Sequence, residues 1–145
     1  MEFNTQTEIE TKQIGKDLAT KLNGSEIITL EGDLGAGKTT FVKGLAEGLG
    51  IKKEITSPTF TLMNVYELTA SSPKLKALVH IDTYRLKNEQ ELLNIGVEDY
   101  LGSRETITVI EWPEKVSGLL KDKKIIEIKI KHITETKRKL EVNNK

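Results

Sequence analysis

The chain has 145 residues, 37% hydrophobic and 30% charged, with a formal net charge of zero and no cysteine. This composition is typical of one folded soluble domain, and the charge balance gives no overall attraction to nucleic acid. No apolar run reaches the roughly 18 residues that cross a bilayer, and the first twenty residues are too polar for a secretory signal. Disulfides and thiolate-bound metals are excluded, and we expect a single domain over residues 1–145 in the cytoplasm.

The N-terminal segment predicts a helix. Thr5 and Glu8 have the spacing of a capping box, and Ile14, Leu18 and Leu22 then recur at helical intervals. The Asn-Gly pair that follows is a typical helix end, so we predict that the first element is a helix that begins after Thr5.

A strand, a glycine-rich loop and a second helix follow. The β-branched run "EIITLEG" predicts a buried strand over Glu26–Glu31. Beyond the loop, apolar residues every four positions mark a helix that closes at Gly50. Gly44 and Gly48 lie on this helix although glycine costs about 1 kcal/mol relative to alanine there, which indicates a close backbone neighbour.

The rest of the chain alternates strands with one short helix. "TFTLMNVYEL", "ALVHID" and "TITVIEWP" predict strands, and the capping-box spacing of Asn88 and Glu91 predicts a helix between the last two. Two charged strands are expected around Ile125–Ile130 and Lys139–Val142. We therefore predict an α/β fold of the P-loop NTPase type, with a mixed parallel and antiparallel sheet and helices on both faces.

The loop "GDLGAGKT" fits the full Walker A pattern, and it has the strand before it and the helix after it that the pattern requires. Glycines let successive N–H groups approach phosphate oxygens, and the helix adds its N-terminal dipole. Lys38 would contact the β- and γ-phosphates, and Thr39 would bind Mg²⁺ through its hydroxyl. The residues predicted to bind the nucleotide are Asp33, Leu34, Gly35, Ala36, Gly37, Lys38, Thr39 and Thr40.

Two acids are candidates for the carboxylate that such a magnesium ion needs. Asp82 ends "ALVHID" and Glu111 ends "TITVIE", so both should lie at carboxyl ends of strands, where α/β sheets place ligands. One acid would hold the metal while the other positions or deprotonates the attacking water. The spacing alone does not assign the two roles.

Other polar residues have more than one interpretation. The hydroxyls of "SPTFT", from Ser57 to Thr61, would either meet a γ-phosphate or line the entrance of a strand. His80 and His132 lie in strand-like runs, and we interpret them as packing residues. Arg85 is the best placed of the three arginines to act as a cationic finger, with a surface salt bridge as the alternative.

The C-terminal segment from Lys121 to Lys145 carries nine basic and four acidic residues. Its isoleucines alternate with charged residues, which is typical of a strand with one solvated face. The alternative is a basic rim that faces an acidic partner or RNA.

The motifs in their order resemble the bacterial TsaE (YjeE) family. The resemblance is carried by "GDLGAGKTTFVKGLAEGLG", "SPTFTLMNVYE", "HIDTYRL", "ELLNIGVEDYL" and "VIEWPE", from about Gly32 to Glu114. It implies a Mg²⁺-dependent ATPase of tRNA threonylcarbamoyladenosine biosynthesis. Lys38 matches the family's phosphate lysine, Thr39 and Glu111 match its Mg²⁺ ligands, and Asp82 matches the acid important for hydrolysis.

The resemblance also implies partners. TsaD, working with TsaB, transfers a threonylcarbamoyl group to adenosine 37 of tRNAs that read ANN codons, and the ATPase would support this pair. Contact with tRNA would be indirect, through the complex, and hydrolysis by the isolated chain would be slow. The activated threonylcarbamoyl substrate is made separately by TsaC.

A Walker A loop also occurs in proteins with three other kinds of function. A GTPase is disfavoured because no N-K-x-D motif is present. A small-molecule kinase would share the loop, but three scattered arginines make a poor lid. A nucleotide-dependent interaction module with little hydrolysis is the non-enzymatic alternative.

Overall fold

The computed structural model describes residues 1–33, 35–58, 61–68 and 74–144, and within them seven strands form one sheet. The strands are β1 (Glu2–Thr5), β2 (Ile27–Glu31), β3 (Met63–Glu67), β4 (Ala77–Asp82), β5 (Thr106–Glu111), β6 (Ile125–His132) and β7 (Arg138–Asn144). The α-helices are α1 (Glu8–Ala19), α2 (Lys38–Gly48) and α3 (Gln90–Asn94), with 3₁₀ segments at Val97–Asp99 and Pro113–Leu120. No helix in these ranges is long and apolar enough to cross a membrane.

The sheet has the order β1-β7-β6-β2-β5-β4-β3, and its central strands are parallel. β2 runs parallel to both β6 and β5, and β4 runs parallel to β5, whereas β3, β7 and β1 pair antiparallel. Every residue of β4 and β5 is buried, as expected for central strands covered on both sides. The predicted α/β class with a mixed sheet is confirmed.

Helices cover both faces of the sheet, as predicted. Side chains that alternate along the strands point into two apolar clusters. Ile28 and Val109 belong to the cluster that packs against α1 and α2, while Ile27 and Ile110 face α3 and the 3₁₀ segments. The face covered by α1 and α2 also carries the strand-end acids, since residues 78, 80 and 82 share it by alternation.

The predicted helix cap at Thr5 is wrong. Thr5 instead ends β1, a strand that the sequence did not predict: its backbone pairs with Arg138 in β7, and its hydroxyl hydrogen-bonds that of Thr11. The cap is Thr7, whose hydroxyl accepts a hydrogen bond from the backbone N–H of Glu10. Thr7 and Glu10 have the same spacing as the predicted pair, so the capping-box spacing occurs two residues further along the chain than predicted.

The close neighbour predicted for the glycines of α2 is α1. A Cβ atom at Gly44 would lie 1.9 Å from the carbonyl oxygen of Lys12, and one at Gly48 would lie 2.7 Å from that of Lys16. On α1, a Cβ atom at Gly15 would lie 2.4 Å from a carbonyl oxygen of α2. The two helices therefore pack backbone against backbone.

We expect Gly44→Ala to destabilise the protein by about 2 kcal/mol or more, because the new methyl group meets main chain that cannot move aside. Helix propensity alone predicts the opposite sign, a gain of about 1 kcal/mol. The midpoint of urea unfolding measures the change. Lys43→Ala, at an exposed position of the same helix, is the control, and a Gly44→Ala midpoint at or above wild type would contradict the close packing.

Acidic residues of neighbouring strands partly neutralise the basic C-terminal segment. Its lysines form ion pairs with carboxylates at N···O distances of 3.4–3.8 Å across the sheet and around its rim. The pairs are Lys124–Glu26, Lys129–Glu31, Lys131–Glu141 and Lys139–Glu2. Exposed pairs contribute little to stability, but this arrangement favours the solvated strand face over the basic rim.

Candidate nucleotide site

A cavity of about 470 Å³ opens at the carboxyl ends of the central strands, beside the N-terminus of α2. The residues predicted from sequence that line it are Gly35, Gly37, Lys38, Thr39, Thr40, Asp82 and Glu111. Asp33 and Ala36 belong to the same loop without lining the cavity, and Leu34 lies outside the described residues. The topology therefore brings the glycine-rich loop and both strand-end acids to one place.

The loop requires glycine at two positions. Gly35 and Gly37 have φ angles of +81° and +106°, which side chains disfavour. Ala36 N–H bonds the carbonyl of Asp33 at 2.9 Å and closes the turn. Gly37 is the N-cap of α2, and no side chain in the described structure caps that helix, so its first N–H groups suit an anion.

Lys38 is buried in the wall of the cavity, with 6% of its surface exposed. Its Nζ donates to the carbonyl oxygen of Gly32 at 2.7 Å and lies 3.8 Å from Oε1 of Glu111. The same atom lies 4.0 Å from the centroid of the Trp112 ring, within range of a cation–π contact. A cation held this way is paired and partly desolvated, so it can interact strongly with an anionic ligand.

The two strand-end acids are direct neighbours. Asp82 and Glu111 are paired positions of the parallel strands β4 and β5, and each ends its strand, as predicted. Asp82 accepts a hydrogen bond from Tyr84 N–H at 2.9 Å through Oδ1, and the hydroxyl of Ser57 lies 3.5 Å from Oδ2. Their different surroundings give the two carboxylates distinct local chemistry.

Trp112 has a strained backbone, with φ of 60° and ψ of 57° in the left-handed region. Such a conformation costs on the order of 1–3 kcal/mol and is common at functional sites. Thr83 holds it by donating its hydroxyl to the carbonyl oxygens of Glu111 and Trp112. The strained turn places the indole in the cavity lining, with its ring centroid 5.2 Å from that of Tyr84.

The loop from Ser57 contributes one residue to the described cavity. Ser57 lines it, whereas Thr61 donates its hydroxyl to the side chain of Asn64. Thr59 lies outside the described residues. Ser57 is thus the described hydroxyl of this loop that lines the site.

Arginines reach the cavity from two directions. Arg85 lines it, as its position after Asp82 suggested. Arg138, at the start of β7, also lines it and donates to the carbonyl oxygens of Ala36 at 2.9 Å and Gly35 at 3.3 Å. The sequence favoured Arg85 over Arg138, which lies 102 residues beyond Ala36 and comes to the loop only through the strand pairing.

His80 does more than pack. It is fully buried, and its Nε2 lies 2.7 Å from Oε2 of Glu111. The interpretation of His80 as a packing residue is therefore incomplete. Its position two residues before Asp82 was a usable signal, because alternate residues of a strand share a face. His132, by contrast, ends β6 and is exposed, so packing does not describe it.

A glycine-rich loop between a parallel strand and a helix, with acids at adjacent strand ends, defines an α/β protein of the nucleotide-binding class. The family model described as "Threonylcarbamoyl adenosine biosynthesis protein TsaE" matches residues 5–140. The chain therefore belongs to the TsaE family, and the resemblance seen in its motifs is confirmed.

Individual relatives agree with this membership. A Bacillus subtilis protein is 36% identical over 140 residues, covering 97% of this chain and 83% of its own length. An Aquifex aeolicus protein is 39% identical over 145 residues, covering 97% of this chain and 93% of its own length. Both are named tRNA threonylcarbamoyladenosine biosynthesis protein TsaE. The crystal structure of Bacillus subtilis YdiB superposes with a TM-score of 0.78 at 32% identity, covering 98% of this chain and 83% of that one.

Proposed function

We propose that this protein is a Mg²⁺-dependent ATPase that acts in tRNA threonylcarbamoyladenosine biosynthesis, the process for which its relatives are named. The observation that carries the proposal is the convergence of Lys38, Thr39, Asp82 and Glu111 on the cavity beside the glycine-rich loop. The loop, the buried cation and the acids match the three needs of phosphoryl transfer: positioning, charge neutralisation and orientation of the nucleophile.

The residues present fit a magnesium ion bound together with phosphate. Mg²⁺ prefers oxygen ligands and usually takes one or two carboxylates with substrate phosphates, and here a hydroxyl and a carboxylate line the same cavity. No group of three His, Cys, Asp or Glu side chains able to hold a metal alone occurs among the described residues. Thr39 and Glu111 would hold the ion, which when bound neutralises charge on the β- and γ-phosphates.

Other residues of the chain would bind the phosphates and activate the attacking water. The N–H groups of the loop and of the first turn of α2 bind the phosphates, and Lys38 adds a positive charge. Asp82 orients the attacking water and accepts its proton, with its own carboxylate fixed by Tyr84 N–H. Ser57 and Arg85 line the same cavity and in this proposal contact the terminal phosphate.

In this proposal ATP hydrolysis supports a complex of TsaD and TsaB that forms threonylcarbamoyladenosine at position 37 of tRNAs reading ANN codons. The chain's zero net charge suits an indirect role toward tRNA, with the nucleic acid held by the other subunits. The test is phosphate release by the isolated chain and by the chain with TsaD and TsaB. Stimulated release with no phosphorylated acceptor supports the ATPase, whereas transfer of phosphate to an acceptor would identify a kinase.

We expect Mg²⁺-ATP to change the fluorescence of Trp112, the only tryptophan in the chain. Its indole lies in the cavity lining 4.0 Å from Lys38 Nζ, so a phosphate that draws on this cation changes the electric field at the ring. The measurement is an emission spectrum titrated with Mg²⁺-ATP. An unchanged spectrum at saturation, with binding verified by calorimetry, would argue against this site.

A further inference from the structure

We propose that His80 is a positioning residue that fixes the Glu111 carboxylate in the orientation needed for Mg²⁺ binding. The inference rests on the proposed function, because it assigns His80 a task in the same metal site. It concerns a residue that lies behind the cavity and does not line it.

The strand register brings the two side chains together. Asp82 is paired with Glu111, and His80 is paired with Val109, in the parallel ladder of β4 and β5. His80, Asp82 and Glu111 therefore share one face, and the imidazole reaches Glu111 diagonally from one strand to the next. Both side chains start from buried central strands, so their relative position is set by the most rigid part of the sheet.

The two oxygens of the Glu111 carboxylate have different neighbours. Oε2 of Glu111 lies 2.7 Å from Nε2 of His80, and Oε1 lies 3.8 Å from Nζ of Lys38. A carboxylate held through one oxygen has its rotation restricted, which leaves the other oxygen directed toward the side of Lys38. Partners behind a metal ligand orient it in this way, and their loss commonly costs 10- to 100-fold in metal affinity.

Packing alone does not account for an imidazole at this position. His80 is fully buried, and its Nδ1 has no hydrogen-bond partner among the described residues. A buried nitrogen without a partner is unfavourable, so an apolar side chain of similar size would fill the space at lower cost. The contact that offsets this cost is the one to Glu111.

The test measures ATP affinity by calorimetry, with Mg²⁺ and with EDTA, in wild type and in His80→Phe. Phenylalanine keeps a planar ring at this position but has no donor. We expect the gain in affinity that Mg²⁺ provides to fall about tenfold, while affinity in EDTA stays within about threefold. His80→Gln, which retains a donor, should lose less. Thr108→Val is the matched control, since Thr108 is a buried residue of β5 whose hydroxyl has no partner in the described structure.

The outcomes separate this inference from the proposed function. The inference is overturned if Mg²⁺ raises the ATP affinity of His80→Phe as much as that of wild type. It is also overturned if His80→Phe loses ATP affinity equally with and without Mg²⁺. If wild type itself shows no Mg²⁺ gain, or Glu111→Ala leaves the gain intact, the proposed metal site fails instead.

A second measurement needs no variant, and so it decides the matter even if His80→Phe fails to fold. Long-range ¹H–¹⁵N spectra of the wild-type chain report which ring nitrogen carries the proton, and exposed His132 is the only other histidine and serves as reference. We expect His80 to be protonated at Nε2, and this signal to move more with Mg²⁺-ATP than with ATP in EDTA. An unprotonated Nε2, or a signal indifferent to Mg²⁺, overturns the proposal.

Discussion

Lys38→Ala is expected to weaken ATP binding by about a hundredfold or more. A hydrogen bond from a charged group is worth about 1.5–3 kcal/mol, and a partly desolvated cation at a phosphate site lies at the upper end of that range. The ammonium is buried beside Glu111 and Trp112, so water cannot easily replace it. Equilibrium affinity measured by calorimetry in Mg²⁺ checks the expectation.

The same substitution also removes the partner of a buried carboxylate, so loss of binding has to be separated from loss of fold. Lys43→Ala, on the exposed side of the same helix, removes equal charge without touching the cavity and should bind ATP as wild type does. Thermal unfolding of both variants gives the folded fraction at the assay temperature. An affinity for Lys38→Ala within about threefold of wild type, a difference under 1 kcal/mol, would mean that the loop does not bind phosphate.

We expect Asp82→Asn to impair hydrolysis, and Glu111→Ala to impair both hydrolysis and the gain in ATP affinity that Mg²⁺ provides. Asparagine keeps the shape of Asp82 and its hydrogen bond from Tyr84 N–H but removes the basicity, so ATP affinity should change only a few-fold. Hydrolysis stimulated by TsaD and TsaB should fall by roughly 10²-fold or more, the usual scale for loss of a general base. Glu111→Ala removes a metal ligand, so hydrolysis and the Mg²⁺ gain in ATP affinity should fall together.

A titration of Mg²⁺ against ATP affinity in both variants decides between the roles. If Asp82→Asn abolishes the Mg²⁺ dependence and Glu111→Ala preserves it, then Asp82 is the metal ligand and the assignments are exchanged. If neither substitution changes hydrolysis, the paired acids are structural and the ATPase proposal loses its main support.

The sequence predicted the centre of the molecule better than its edges. The strands β2, β4 and β5 are continuous apolar runs that end in a glycine-rich loop or an acid, so both their existence and their functional ends could be deduced. β1 could not be deduced, because its few residues form a strand only by pairing with β7, the most distant part of the chain. Local pattern contains no information about such a partner.

The same limit applies to the site. Lys38, Thr39, Asp82 and Glu111 were found because each stands in a motif whose spacing implies its chemistry. Arg138 reaches the loop through sheet topology, and the contact of His80 with Glu111 depends on strand register. For Arg138 no local spacing predicts this contact. For His80 the spacing to Asp82 indicated a shared face, but only the strand register shows that the imidazole contacts Glu111.

The packing of α1 on α2 has a mechanical consequence for the cavity. At Gly15 and Gly44 the backbones are in direct contact, so a shift of one helix relative to the other there would meet main chain. Lys38 and Thr39 belong to α2, and Glu8 and Thr11, which also line the cavity, belong to α1. The rest of the cavity lining comes from elements outside this helix pair, among them those that carry Ser57, Tyr84, Trp112 and Arg138. We therefore expect a partner that displaces α1 to displace α2 and Lys38 with it, which would couple the outer surface of α1 to the cavity.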